Sequence, residues 1–194
     1  MAQQLVFATN NLHKLEEVSN KIKGEIELLT LEDIGLKEDI EETGLTFRDN
    51  ASIKSRHVFS KYHLNCFGDD SGLEIEALNG EPGVFSARYA GKHGDHEANI
   101  NKVLEKLGTS ENRKARFMTV ISLIWNGEEY FFEGTVEGII RHERSGAKGF
   151  GYDPIFQPDG CNITFAEMSL EQKSKISHRA KAVEQLIAFL AGHR

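Results

Sequence analysis

Residues 115–140 read ARFMTVISLIWNGEEYFFEGTVEGII, and this stretch constrains the fold more than any other. Two apolar, aromatic-rich runs flank Asn126-Gly127. That pair is preferred in two-residue type I′ turns, which need positive φ at both central positions. The spacing predicts two long antiparallel strands. Phe117, Ile121, Trp125, Tyr130, Phe131 and Phe132 are assigned to core or interface and given no chemistry.

The N-terminus adds a different signal. Leu5 to Ala8 form a short apolar run of strand-like composition. Leu12, Leu15, Val18 and Ile22 then follow at steps of three and four, one stripe of an amphipathic helix, with Gly24 where a helix C′ residue usually sits. Thr9-Asn10-Asn11 therefore lies where a strand ends and a helix begins. α/β proteins commonly bind anions there, because free helix N–H groups carry partial positive charge. Lys14 adds a formal charge in the first turn, where the dipole disfavours cations. The stretch reads equally as a phosphate site or as an ordinary strand–helix turn with an exposed lysine.

Further along, residues 31–42 (LEDIGLKEDIEE) predict a long acidic loop. Thr46 with Asp49 resembles a capping box, opening a helix that buries Phe47, Ala51, Val58 and Tyr62. Cys66-Phe67 and Leu73 to Glu76 read as strand pieces around a polar turn. A third helix buries Ile100, Val103, Leu104 and Leu107 and stops at Gly108. Residues 144–160 are glycine-rich and irregular. Ser169 with Gln172 repeats the capping signal, and Ser177 is placed as the cap of a last helix with Ala180, Val183, Leu186, Ile187 and Leu190 inward. The sum is mixed α/β, with parallel-type crossovers and a long hairpin.

At 194 residues the chain suffices for one sizeable core, as one domain over 1–194 or as two lobes sharing a sheet. A net charge of −7 argues against binding a nucleic-acid polymer, which normally requires a basic surplus. A small phosphorylated ligand needs only a few local cations. No apolar run approaches the ~20 residues that cross a bilayer. The N-terminus lacks the order of a signal peptide, and Cys66 and Cys161 are too few for a disulfide framework. These features predict a cytoplasmic protein that does not engage membranes.

Three stretches carry candidate chemistry. FGDDSGL (67–73) places two adjacent carboxylates between glycines. They repel unless a cation or proton intervenes, and such oxygens suit Mg²⁺; the alternative is a solvated Asp-Asp turn. GAKGFGYDPIF (146–156) offers Phe150 to stack on a base and Asp153 to accept its ring N–H groups, or else a turn with its aromatics in the core. EQKSKISHRAK (171–181) sets Lys173, Lys175, His178 and Arg179 around a predicted helix N-terminus, a mild anomaly that points to an anionic ligand.

Taken in order, Thr9-Asn10-Asn11 with Lys14, EETGLTF (41–47), DDSGLEIEAL (69–78), PGVFSARYAG (82–91), GFGYDPIF (149–156) and KSKISHR (173–179) resemble one family over nearly the whole chain. It is the inosine/xanthosine triphosphate pyrophosphatase family. The resemblance implies a mixed central β-sheet with flanking helices, two lobes around an active-site cleft, and a homodimer. It also implies Mg²⁺-dependent hydrolysis of ITP, dITP and XTP to the monophosphate and pyrophosphate. By position it assigns Thr9, Asn10, Asn11, Leu12, His13 and Lys14 to the triphosphate, with Lys54 as a further phosphate contact. Glu41 and Asp70 become metal ligands and Asp70 the proton acceptor. Ser71, Phe150, Gly151, Tyr152, Asp153, Lys173, His178 and Arg179 become substrate contacts. Arg179, all donor, is expected to read the 6-oxo group of the base. The family's usual Thr-Gly-Asn is here Thr-Asn-Asn, and Asn10 is expected to keep the turn because Asn tolerates positive φ. A pyrophosphatase for other nucleotides, a silent nucleotide binder and an interaction module built on the hairpin are the competing readings; pyrophosphate release from a nucleotide panel separates them.

Overall fold

The computed structural model describes residues 3–22 and 26–193; the Gly24 position lies outside them. Six strands form one sheet in the order β2-β1-β3-β4-β5-β6: β1 (Gln3–Phe7), β2 (Ile26–Leu29), β3 (Cys66–Ile75), β4 (Lys114–Trp125), β5 (Glu128–Ile140) and β6 (Phe156–Pro158). β1 pairs in parallel with both β2 and β3, whereas β5 and β6 are antiparallel, so the sheet is mixed. Helices α1 (Leu12–Lys21), α2 (Phe47–Tyr62), α3 (His96–Leu107), α4 (Leu170–Ile176) and α5 (His178–Gly192) complete the α/β fold. The hairpin forms as its turn residues require, with Asn126 at φ 51° and Gly127 at φ 86°.

The chain divides into two compact units. One comprises residues up to Asp70, Thr119–Gly134 and Arg179 onward; the other comprises Ser71–Met118 and Thr135–His178. In the first unit, alternation along the strands feeds two cores. Leu5, Phe7, Phe67, Ile121, Leu123 and Trp125 meet Val18 and Ile22 and, from α5, Ala182, Val183, Leu186 and Leu190. Val6, Ala8, Cys66 and Ile124 meet Val58 of α2 and two leucines of the predicted loop, Leu31 and Leu36. The β1–β3 register pairs Phe7 with Phe67, whose rings stack at 4.4 Å and 9°, worth roughly 0.5–1.5 kcal/mol beyond area burial. Tyr130, Phe131 and Phe132 are half-buried; Tyr130 and Phe132 pack on Phe189, and Arg48 covers the Phe131 ring at 3.7 Å. In the second unit, Ile100, Val103 and Leu107 of α3 join Leu73, Ile75, Phe117, Val136, Ile140 and Phe156, with Leu104 half-buried at the margin.

The structure corrects the sequence reading in several places. Residues 66–75 are one continuous strand rather than two pieces around a turn. Gly68 is the reason this strand can lie so close to α2: a Cβ there would stand 2.7 Å from Ala51 O and from Lys54 Cβ. Leu12, assigned to the buried stripe, is 77% exposed at the first helical position, before the helix reaches the sheet. Thr46 caps α2 by accepting from Asp49 N, and its hydroxyl also donates to the Asp49 carboxylate. Ser177, extended, stands where the sequence reading put the cap of the last helix: it closes α4 and immediately precedes α5. Lys173 and Lys175, however, occupy the last turn of α4, where the dipole favours cations. The anomaly assigned to them disappears.

Candidate active site

At the end of β1, Thr9-Asn10-Asn11 closes on itself. Asn11 N donates to Thr9 Oγ1, and Asn11 Oδ1 accepts from His13 N and Lys14 N. The sequence therefore caps α1 with its own asparagine, and two of the helix N–H groups expected to face a ligand are engaged within the chain. Among the described residues only His63, Asn79 and Asn126 combine a side chain with positive φ. Asn10 thus does not hold the left-handed conformation expected of it. Its side chain instead donates to Asp39 Oδ1 at 2.9 Å, tying the turn to the acidic loop.

The centre of the first unit is a buried charge cluster on β3. Lys14 Nζ donates to Asp69 Oδ1 at 2.8 Å, and Arg179 Nε donates to Asp69 Oδ2 at 3.1 Å. Arg179 Nη1 also donates to Glu17. Lys54, delivered by α2, donates to Glu42 Oε1 and to Asp69 O, each at 2.6 Å, and lies 4.0 Å from Asp70 Oδ1. The guanidinium expected to read a base is therefore bound to two carboxylates of its own unit. Glu42 is the acidic-loop residue that joins the cluster, while Glu41 is exposed.

These neighbours give the two adjacent aspartates opposite characters. Burial opposes the Asp69 charge, but Lys14, Arg179 and Lys54 outweigh it and hold the carboxyl well below the usual carboxylate range. Burial also opposes the Asp70 charge, and there Lys54 and Lys14 fall short, so its pKa rises. Burial lowers the pKa of Lys14, helped by the like charges of Lys54 and Arg179. Lys54 suffers the same burial, yet Asp70 and Glu42 hold its pKa above the ordinary value. Asp69 is thus the anchor that gathers cations, and Asp70 is a buried carboxylate short of positive charge.

That deficit bears on a metal. Lys14, Lys54 and Arg179 meet the carboxylates of Glu17, Glu42, Asp69 and Asp70, and at Asp70 the cations do not outweigh burial. Among the described residues no group of three or more His, Cys, Asp or Glu forms a ready-made cage. Asp70 and Glu42 nevertheless supply two hard oxygen donors, the number that Mg²⁺ takes when substrate phosphates and water provide the rest. The residues present fit that ion.

The second unit holds the other predicted contacts. Asp153 is buried, paired through Oδ2 with Lys173 Nζ at 2.7 Å and accepting from Phe150 N at 2.9 Å. Lys173 lies 5.1 Å from the centre of the Phe150 ring and 5.5 Å from that of Phe165. Gly149, at φ 73°, is required here: a Cβ would stand 2.0 Å from Asp153 Oδ2. His178 stacks on Phe117 at 4.7 Å and 10°. Tyr152 is in the core, its hydroxyl donating to Ser86 O at 2.8 Å. Gly151, at φ 62°, has open space beside its Cα, and Ser71 is half-buried in β3. Sequence reasoning missed Asn50, Glu17 and the Glu42–Lys54 pair. Helical spacing alone marks Asn50 and Lys54, four apart, as neighbours on α2.

The sequence pattern of the Ham1 family matches residues 5–189. A dITP/XTP pyrophosphatase of Christiangramia forsetii is 52% identical over 188 residues, covering 97% of this chain and 99% of its own length. One of Porphyromonas gingivalis is 51% identical over 189 residues, 97% of each chain. The structure of the Staphylococcus aureus Ham1 protein superposes with a TM-score of 0.90 at 42% identity, covering 99% of this chain and 100% of that one. By the extent of these matches, in sequence and in fold, the chain belongs to the Ham1 family.

Proposed function

We propose that the protein hydrolyses non-standard purine nucleoside triphosphates, namely ITP, dITP and XTP, to the monophosphate and pyrophosphate. The relatives named above, matched end to end, support the reaction and substrate class. The observation that carries the reading in this chain is the buried cluster on β3. Lys14 and Lys54 are drawn there by carboxylates that a substrate polyanion can compete with, and Asp70 sits beside them short of positive charge.

The chain's own residues then have separate tasks. Lys14 and Lys54 hold the triphosphate and stabilise charge on the departing pyrophosphate. Asp69, fixed by Lys14 and Arg179, keeps the cations in place without entering the chemistry. Asp70 accepts a proton from the attacking water as the new P–O bond forms and the α–β anhydride bond breaks. Asp70 and a carboxylate of the Glu41-Glu42 pair would hold Mg²⁺, which would supply neutralisation of the triphosphate charge. For the base, the Asp153 carboxylate can accept ring N–H groups beside the Phe150 ring, steadied by Lys173.

The same reading carries a homodimer in the cytoplasm. Among the described residues no helix is long and apolar enough to cross a membrane, and both cysteines are free thiols. Purified protein assayed for pyrophosphate release from ITP, dITP, XTP, GTP, ATP and dATP tests the function. Turnover of the first three should exceed that of ATP and dATP by at least ~10²-fold and should require added Mg²⁺; equal turnover across the panel would refute the substrate class.

A further inference from the structure

Asn50 is sealed from solvent on the inner face of α2, and a buried carboxamide needs partners at both ends. Its Oδ1 accepts from Gly44 N at 2.8 Å, and its Nδ2 donates to Asp70 Oδ2 at 2.9 Å. A backbone N–H can only donate, so the oxygen end of the amide must face Gly44. The nitrogen end is thereby turned to Asp70. Gly44 is bound into the same device, because a Cβ there would lie 2.6 Å from Asn50 Oδ1. The loop backbone fixes the amide, and the amide fixes the carboxylate. Asp70 Oδ2 is held by Asn50 while Oδ1 is the oxygen nearest Lys54.

We infer that Asn50 is a positioning residue for the hydrolytic step: it holds the Asp70 carboxylate in one orientation, and the Thr43-Gly44 turn exists to orient Asn50. The inference rests on the proposed function, with Asp70 as proton acceptor. It gives a task to Gly44 and to Asn50, whose amide joins Gly44 N to Asp70, and it places the constraint on catalysis rather than on nucleotide affinity.

Asn50→Asp separates this role from a structural one. The variant is isosteric and keeps the acceptor for Gly44 N, but it turns an oxygen instead of a donor toward Asp70. kcat for dITP should fall at least about tenfold while KM stays within about threefold, the scale of one lost hydrogen bond to a charged group. A folded Asn50→Asp protein with wild-type kcat would overturn the inference, leaving Asn50 as a tether for Gly44. A cycle of Asn50→Ala with Asp70→Asn provides the second readout. Asn50→Ala should lower kcat in the wild-type background yet change the residual kcat of Asp70→Asn by less than about twofold; equal losses in both backgrounds would overturn it. Should Asn50→Asp fail to fold, the cycle decides alone. A wild-type protein that releases no pyrophosphate from dITP defeats the proposed function and this inference together, whereas an active wild type with an unaffected Asn50→Asp defeats this inference alone.

Discussion

Asp69 and Asp70 are neighbours in sequence, both buried, yet neutralising each should have a different outcome. In Asp69→Asn, Lys14 and Arg179 lose the carboxylate they share at 2.8 and 3.1 Å. Removing one partner from a buried ion pair costs about 3–5 kcal/mol, because a charge is left buried and uncompensated. Glu17 still pairs with Arg179, and the asparagine oxygen can accept one bond, so the lower end applies, about 3 kcal/mol. For a chain of this length that is a fall in Tm of roughly 6–12 °C. Asp70→Asn removes a charge that burial already disfavours, keeps an acceptor for Asn50 Nδ2, and gives up the attraction of Lys54, 4.0 Å away, and of Lys14. Its Tm should move by no more than about 4 °C, while turnover falls at least ~10²-fold.

The assay is thermal unfolding by circular dichroism in EDTA, repeated from pH 7 to pH 3. With a folded pKa below its ordinary value of 3.8, Asp69 contributes stability that is full above about pH 4 and lost as pH falls below it. That acid-side loss should flatten in Asp69→Asn. Asp70, with its pKa raised, contributes in the opposite sense, favouring the fold less as pH rises through its titration. Equal Tm losses in the two variants, or a larger loss in Asp70→Asn, would refute the division into anchor and proton acceptor.

Three further outcomes rest on burial, on a close approach and on one hydrogen bond. Iodoacetamide at pH 8 should label Cys161 and spare Cys66, whose fully buried thiol is pushed up to about 12; mass spectrometry of the folded protein checks this, and denaturation should expose both. Gly149→Ala combines a φ of 73° with a Cβ clash on Asp153 Oδ2. It should break the Asp153–Lys173 pair and raise KM for dITP more than it lowers kcat, as steady-state kinetics would record. Asn10→Gly, often neutral where a side chain is strained at positive φ, should here cost up to about 1 kcal/mol in urea unfolding, because it loosens the unfolded chain and loses the bond to Asp39.

How much of this was legible in sequence depended on whether the determining forces were local. The hairpin and its Asn126-Gly127 turn, the α3 stripe with Gly108, and the Ser169–Gln172 capping box all rest on residues within a few positions of one another, and they formed as read. Asp69-Asp70 between glycines looked like a turn because isolated acid pairs favour solvent. The strand passes through them only because Lys14, Lys54 and Arg179 arrive from three distant segments to share their charge. The partners of Arg179 were hidden for the same reason: its carboxylates, Glu17 and Asp69, stand 162 and 110 residues away. Leu12 followed the helical period but fell on the turn before α1 meets the sheet. Nothing local distinguishes Asn50 from any other helix asparagine; its meaning lies in what its two ends touch.

The central claim is that Asp70 removes a proton from water at a site whose cations hold the triphosphate independently of it. The direct measurement is a pair of experiments on Asp70→Asn with dITP and Mg²⁺: equilibrium binding by calorimetry, and single-turnover release of pyrophosphate by rapid quench. The account predicts binding within about tenfold of the nucleotide affinity measured for a non-hydrolysable analogue on the wild type, with pyrophosphate release slowed at least ~10²-fold. Release at the wild-type rate from bound dITP would contradict it.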